Sequence, residues 1–268
     1  MGTRRRPPGS GSKDTRRRDE VGGRNGNDPG GGGGSSVIRL VALDADDTLW
    51  HNEPLFTDTQ ARFCALLSRH TDAGVIAQRL YETEIRNLQH YGYGVKAFTL
   101  SMVETAIELT GGRVTGDEVS EIVRMGREML HAPVDLLEGV RDAVCRLAES
   151  HELIVVTKGD LLDQETKLAR SGLGDFFTDV SVVSRKDRAM YEALVASRGL
   201  AADEFVMVGN SLRSDVVPVA EMGGHAIHVP YEATWAHEEI DATRLASIRY
   251  HTLPRIRDLP DLLLELSA

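Results

Sequence analysis

Three carboxylates within four positions, Asp44, Asp46 and Asp47, follow an apolar run at residues 37–43 that only Arg39 interrupts. Such a run reads as a buried parallel strand. Like charges crowded at a strand's end repel one another and are costly to desolvate unless a cation sits among them. A fold gains little from them, whereas a site that holds a divalent cation beside a phosphate has a direct use for them. Three later apolar runs also end in polar groups. Thr157-Lys158-Gly159-Asp160 follows 153–156, Ser184-Arg185-Lys186-Asp187 follows 180–183, and Gly209-Asn210-Ser211 leads to Asp215 after 205–208. Together the four strand ends supply a carboxylate pair, a hydroxyl, an ammonium and a further acid or amide. Phosphoryl transfer calls for this inventory: a nucleophile, an acid and base, donors for the equatorial oxygens, and metal ligands.

The elements that must position these groups are legible from hydrophobic periodicity. Apolar residues three or four apart predict helices at 56–70, 72–91, 96–109 and 116–131, with Thr57, Asp72, Thr99 and Thr115 as starts. From Pro133 onward short apolar runs at 153–156, 180–183, 205–208, 226–229 and 248–253 alternate with helical stretches at 140–150, 161–171, 189–197 and 214–222. A last helix spans 256–266, its start delayed by Pro260. Alternation of this kind predicts an α/β fold: a Rossmann-like parallel sheet with helices on both faces, plus an inserted all-helical domain. The predicted organisation is a core of residues 37–50 and 135–268 with helices inserted at 51–134. In such sheets ligands gather at the carboxyl ends of the strands, where the polar groups fall.

Composition sets the outer bounds. The chain has 268 residues and is 41% apolar, enough for a large core. Residues 1–36 differ: they hold Arg4–Arg6, Arg16–Arg18, the run Gly30–Gly34 and little that is apolar. This arm is expected to be disordered, because it cannot offset the entropy of ordering itself. It also lacks the roughly 7–15-residue apolar core of a secretory signal. Its eight basic and four acidic residues give it +4, which leaves −14 of the total −10 for the remainder. An acidic body argues against nucleic acid as a partner. No run approaches the roughly 18 apolar residues of a membrane span, so no membrane partner is expected. Cys64 and Cys145 fall in distant helical patterns, which points to packing rather than a disulfide and to a reducing, cytoplasmic setting. His225 and His228 flank a strand without a carboxylate at metal-ligand spacing and are not assigned a metal.

With the residues in this order, the chain resembles the haloacid dehalogenase-like hydrolase superfamily over about residues 37–268. Leu43-Asp44-Ala45-Asp46-Asp47-Thr48-Leu49 looks like the first motif of that family, Val156-Thr157 the second, Lys186 the third and Val208–Asp215 the fourth. The resemblance implies that Asp44 is the nucleophile and becomes an aspartyl-phosphate. It implies that Asp46 protonates the leaving oxygen and then deprotonates water, that Thr157 donates to the phosphoryl group, and that Lys186 neutralises charge. Mg²⁺ is implied on the Asp44 carboxylate, the Asp46 backbone carbonyl and the fourth motif, with Asn210 where the family often has Asp and Asp215 as a charged ligand. Dehalogenases of the superfamily, by the same resemblance, lack the second acid and need no metal. Alkoxide leaving groups need a proton, so Asp46 favours phosphate esters over carbon–halogen bonds. The expected function is therefore a phosphatase acting on a small phosphorylated metabolite. A phosphomutase and a catalytically idle binding protein remain as alternatives. The insert, lying between the first two motifs, resembles the superfamily's helical cap. The 28 residues between Thr157 and Lys186 leave no room for a second one.

Substrate contacts are expected chiefly from the insert. The turn Tyr91-Gly92-Tyr93-Gly94-Val95-Lys96 offers Tyr91, Tyr93 and Lys96, and the second motif offers Lys158. The competing reading is a helix connector with packed tyrosines and a surface lysine. Trp50 and His51 follow the first motif either as a gate or as hinge packing, and Asp47 is read as a support for the loop.

Overall fold

The computed structural model describes residues 37–232 and 242–267; the arm at 1–36 lies outside the described residues. Six strands form one sheet: β1 (Leu40–Leu43), β2 (Glu152–Lys158), β3 (Asp179–Val183), β4 (Phe205–Gly209), β5 (His225–His228) and β6 (His251–Thr252). Their order is β3-β2-β1-β4-β5-β6, and every pairing is parallel. Leu43 stands level with Val155 on one side and Val208 on the other. The chain winds outward from β1 in both directions, so the β1/β4 boundary is the point where strand order reverses. A crevice opens at such a point, beyond the carboxyl ends of the strands.

Alternation along the strands divides the core. Val41, Leu43, Val155, Val206 and Val208 face α5 (Val140–Ala148) and α10 (Leu259–Leu266). Leu40, Ala42, Ile154, Val156 and Met207 face α7 (Arg188–Ser197) and α8 (Val217–Glu221). A period of two with both faces apolar is what makes these strands read as continuous hydrophobic runs. Between β1 and α5 lie α1 (Glu53–Leu67), α2 (Ala73–Tyr91), α3 (Val95–Thr110) and α4 (Gly116–His131). They hold an apolar cluster of their own, with Phe63, Leu67, Ile76, Leu80, Phe98, Met102 and Ile122 buried. Two further helices are α6 (Leu161–Ser171) and the short α9 (Ala242–Leu245). Among the described residues no helix is long and apolar enough to cross a membrane.

Several boundaries differ from the expectation. α1 starts at Glu53 rather than Thr57, with Pro54 in its first turn and the Asp47 carboxylate accepting the N–H groups of Asn52 and Glu53. The cap thus comes from outside the helix, which local pattern does not reveal. Thr99 is inside α3 and bonds back to the Val95 carbonyl at 2.7 Å, while Gly94, at φ +102°, precedes the helix. Asp72 and Thr115 are the predicted caps, Thr115 in a full capping box with Glu118. The run at 248–253 contributes only His251–Thr252 to the sheet, and the stretch at 214–222 enters α8 through one π turn at Leu212–Val216. Thr157 and Lys158 are the last residues of β2, not residues beyond it.

Candidate active site

Asp44 is the first residue past β1, its N–H held by the Val208 carbonyl at 2.9 Å. The residue is 7% exposed. One carboxylate oxygen accepts the Lys186 ammonium, and the other accepts the Thr48 hydroxyl at 3.1 Å. Lys186 also reaches Asp215 at 2.7 Å, and the second Asp215 oxygen takes the Ser211 N–H at 3.0 Å. Two carboxylates from opposite sides of the β1/β4 boundary thus share one buried ammonium. Burial acts against the charge on Lys186, but Asp215 and Asp44 outweigh it and hold its pKa above the ordinary lysine value. Asp44 is pushed up to about 7, first by burial, with Lys186 opposing and Asp215 adding to the rise.

The loop after Asp44 is wound so that its side chains diverge. The Ala45 carbonyl accepts the N–H groups of Thr48 and Leu49, and Asp47 takes φ +61°. Asp tolerates this left-handed geometry better than most residues. Asp46 is then gripped by three donors: Trp50 Nε1 at 2.7 Å, Gln164 Nε2 at 2.8 Å and Lys167 Nζ at 3.1 Å. Lys167 further contacts Asn52 Oδ1 at 2.9 Å and Asp163 at 3.4 Å. Burial disfavours its charge, yet Asp46 and Asp163 keep its pKa raised. Trp50 is therefore neither an exposed gate nor mere packing, since it is buried and its indole holds Asp46. His51 lies exposed and bonds the Tyr231 hydroxyl at 2.8 Å.

A cavity at the carboxyl end of the sheet is lined by Asp44, Asp46, Thr157, Lys158, Lys186, Asn210 and Asp215, and by residues of α1, α2 and α3. The structure therefore brings the four expected chemical groups and the expected metal-side residues together. Of the four residues offered for substrate contact, Tyr93 and Lys158 line it. The Lys158 ammonium lies 4.2 Å from the Tyr93 ring centroid and 3.0 Å from Ser214 Oγ. Tyr91 and Lys96 do not line it. Tyr91 ends α2 and donates to Glu104 at 2.8 Å, and Lys96 crosses to the N-cap of α6, Asp160, at 2.8 Å. Both polar heads are engaged elsewhere because the turn directs only its middle tyrosine inward.

Thr48, Gln164 and Lys167 were not anticipated. Thr48 is fully buried and its hydroxyl also accepts the Asn210 N–H at 3.1 Å, tying the first loop to the fourth. Gln164 and Lys167 are spaced by three on α6, so they share a helix face. The signal for them is an inverted amphipathic pattern: Leu161 and Leu162 are 56% and 65% exposed, while Asp163 and Gln164 are buried.

The residues at this end of the cavity offer a donor set suited to Mg²⁺. Among the described residues no three acidic, histidine or cysteine side chains gather as a ready metal cage. The set is instead two carboxylates (Asp44, Asp215), the Asn210 amide oxygen and a backbone carbonyl at Asp46, all on residues lining one cavity. All are hard oxygens, and Mg²⁺ accepts an incomplete protein set because it keeps several waters. Two buried carboxylates, Asp44 and Asp215, share the single Lys186 ammonium, which leaves charge for a cation to offset. The residues fit the ion.

Gly209 sets the packing here. A Cβ on it would overlap the Asp215 carboxylate. Gly209→Ala is expected to displace Asp215 from Lys186 and to lower stability by about 1–3 kcal/mol, the range of core overpacking. Thermal unfolding checks this, and an unchanged melting temperature would contradict the placement.

Comparisons with known proteins bear on the fold and the motifs. A family model described as haloacid dehalogenase-like hydrolase matches residues 38–223. A crystal structure of a haloacid dehalogenase-like family hydrolase from Xanthomonas campestris is 41% identical, with a TM-score of 0.77, covering 86% of this chain and 92% of that one. A predicted phosphoglycolate phosphatase from Haemophilus somnus aligns at 18% identity and a TM-score of 0.56, covering 85% and 98%. L-2-haloacid dehalogenase from Xanthobacter autotrophicus aligns at 16% identity and a TM-score of 0.57, also covering 85% and 98%. These last two share the fold. No curated protein matches the chain.

Proposed function

The chain belongs to the haloacid dehalogenase-like hydrolase family, and from that premise we propose that it is a Mg²⁺-dependent phosphomonoesterase acting on a small phosphorylated metabolite. The observation that carries this reading is Asp46. A second carboxylate two residues after Asp44 lines the same cavity and is oriented by three donors. Carbon–halogen cleavage has no use for an acid at that place, because a halide leaves without a proton. An alkoxide does not, and a positioned acid contributes roughly 10²–10⁴-fold.

In the proposed sequence an Asp44 oxygen attacks phosphorus in line, the bond to the ester oxygen breaks, and Asp46 gives that oxygen its proton. An aspartyl-phosphate and a free alcohol result. Water then attacks the same phosphorus while Asp46 takes its proton, the Asp44–phosphorus bond breaks, and inorganic phosphate leaves. Lys186 offsets charge on Asp44 and the phosphoryl oxygens, Thr157 donates to those oxygens, and Thr48 keeps Asp44 and Asn210 in register. Mg²⁺, held by Asp44, Asp215, Asn210 and the Asp46 carbonyl, would supply neutralisation of the phosphate's charge. α1–α4 act as a cap on the core of 37–50 and 135–268, excluding water while the ester is cleaved. A cytoplasmic site suits the two free cysteines.

The test is product analysis with Mg²⁺ on a panel of phosphate esters and 2-haloacids. Free phosphate from the esters, lost on chelation, is expected. Halide release would favour a dehalogenase, isomerised phosphosugar a mutase, and no turnover of any ester an idle protein.

A further inference from the structure

The cavity has two chemically different ends. At the sheet end stand Lys186 and Lys158. A second part of the lining comes from α1, α2 and α3, and no lysine, arginine or histidine of those helices lines it. It carries instead two carboxylates, Glu53 from the first turn of α1 and Glu84 from the middle of α2. Phe56 and Phe98 line the same wall, their ring centroids 5.1 Å apart.

Glu84 differs from its neighbours on α2. Glu82 is exposed and engages Gln78 and Arg79. Arg86 turns outward onto Glu108 and Glu104, and Asn87 spends its amide on Ser101 and Glu104. No described residue donates a hydrogen bond to the Glu84 carboxylate or pairs with it. Burial pushes Glu84 up to about 8, with Glu53 adding to the rise, and burial pushes Glu53 up to about 7, with Asp47 adding. A half-buried carboxylate without a donor is a cost that a ligand's positive charge removes. A tail bearing a carboxylate or second phosphate finds no cation on this wall and meets like charge wherever either glutamate is ionised. An apolar tail would leave Glu84 desolvated and without a donor, and Glu53 with only the Thr57 hydroxyl. An ammonium satisfies the carboxylates, and the faces of the two phenylalanines attract it as well.

We infer that the alcohol portion of the substrate carries an ammonium group, so that the ester is an aminoalkyl phosphate with its phosphate at Asp44 and its cation on Glu84 and Glu53. This rests on the phosphomonoesterase reading, and the test separates the two. With the Mg²⁺-loaded enzyme, kcat/KM is measured for phosphoethanolamine, for propyl phosphate as its neutral counterpart and for phosphoglycolate as an anionic one. Phosphoethanolamine is expected to exceed propyl phosphate by about 10–100-fold, the range of a hydrogen bond to a charged group, and phosphoglycolate by more. In Glu84→Gln, which keeps volume, that ratio should fall to within a few-fold, and in Glu84→Lys the order of the charged esters should invert. Equal rates for the amine and propyl esters, or a ratio untouched in Glu84→Gln, would overturn the inference. Calorimetric binding of ethanolamine provides a readout that needs no turnover. Should every ester fail to react, the phosphatase reading falls. Ethanolamine binding lost in Glu84→Gln would still uphold the ammonium site, and absence of binding to the parent protein would refute it.

Discussion

Asp44→Asn is expected to abolish phosphate release, by on the order of 10⁴–10⁶-fold in kcat, because an amide oxygen does not serve as the attacking nucleophile. The substitution keeps the shape of the side chain and an oxygen able to accept from Thr48 or Lys186. A loss of that size therefore reports chemistry and not collapse. Stability gives an independent reading. Asp44 titrates near 7 in the fold against an ordinary value of 3.8, chiefly because it is buried. Between those values the folded chain binds more protons than the unfolded chain, so its stability falls as pH rises through the window. Metal-free protein is thus expected to lose stability from pH 4 to 7 relative to Asp44→Asn, which has no charge to bury. Added Mg²⁺ should raise the melting temperature of the parent protein more than that of the variant. Parallel pH curves for the two proteins would refute the burial argument. Retained turnover in the variant would remove Asp44 from the reaction.

How much of this was legible beforehand depended on whether the signal was periodic or tertiary. The strands around Leu40–Leu43 and Phe205–Gly209 are apolar on both faces, and the helices of the 51–134 segment repeat at three and four, so both announce themselves. The first loop was legible because desolvated like charges need a reason. Lys167 and Gln164 were not, since a polar residue on an amphipathic helix looks like a solvent face until the sheet shows which side is covered. The pattern of α6 even misleads, with leucines outward and Asp163 and Gln164 inward. Tyr91, Tyr93 and Lys96 share one stretch of sequence, yet only Tyr93 lines the cavity, because Tyr91 ends α2 and Lys96 lies in the first turn of α3 while Tyr93 alone lies on the connector between them. Glu84 was invisible for another reason. Glu82 and Glu84 sit two apart on α2, and two residues along a helix separates opposite faces, one paired at the surface and one facing the cavity.

Asp46→Asn should separate the two halves of the reaction. On an alkyl phosphate, kcat is expected to fall by about 10²–10⁴-fold, the contribution of a positioned acid. On an aryl phosphate whose phenolate leaves without protonation, the first step should proceed nearly unimpaired. The second step lacks its base, so the aspartyl-phosphate should accumulate and phenolate should appear as a burst of one equivalent per enzyme. The surroundings can accept the change. The amide oxygen can still take the Trp50 and Lys167 donors, and Gln164 has an Oε1 with no partner that a rotation would turn toward the new amide N–H. Rapid-quench measurement on both esters decides the matter. Equal loss on the two, with no burst, would mean that Asp46 shapes the loop without handling a proton, and the argument from leaving group to phosphate ester would fail with it.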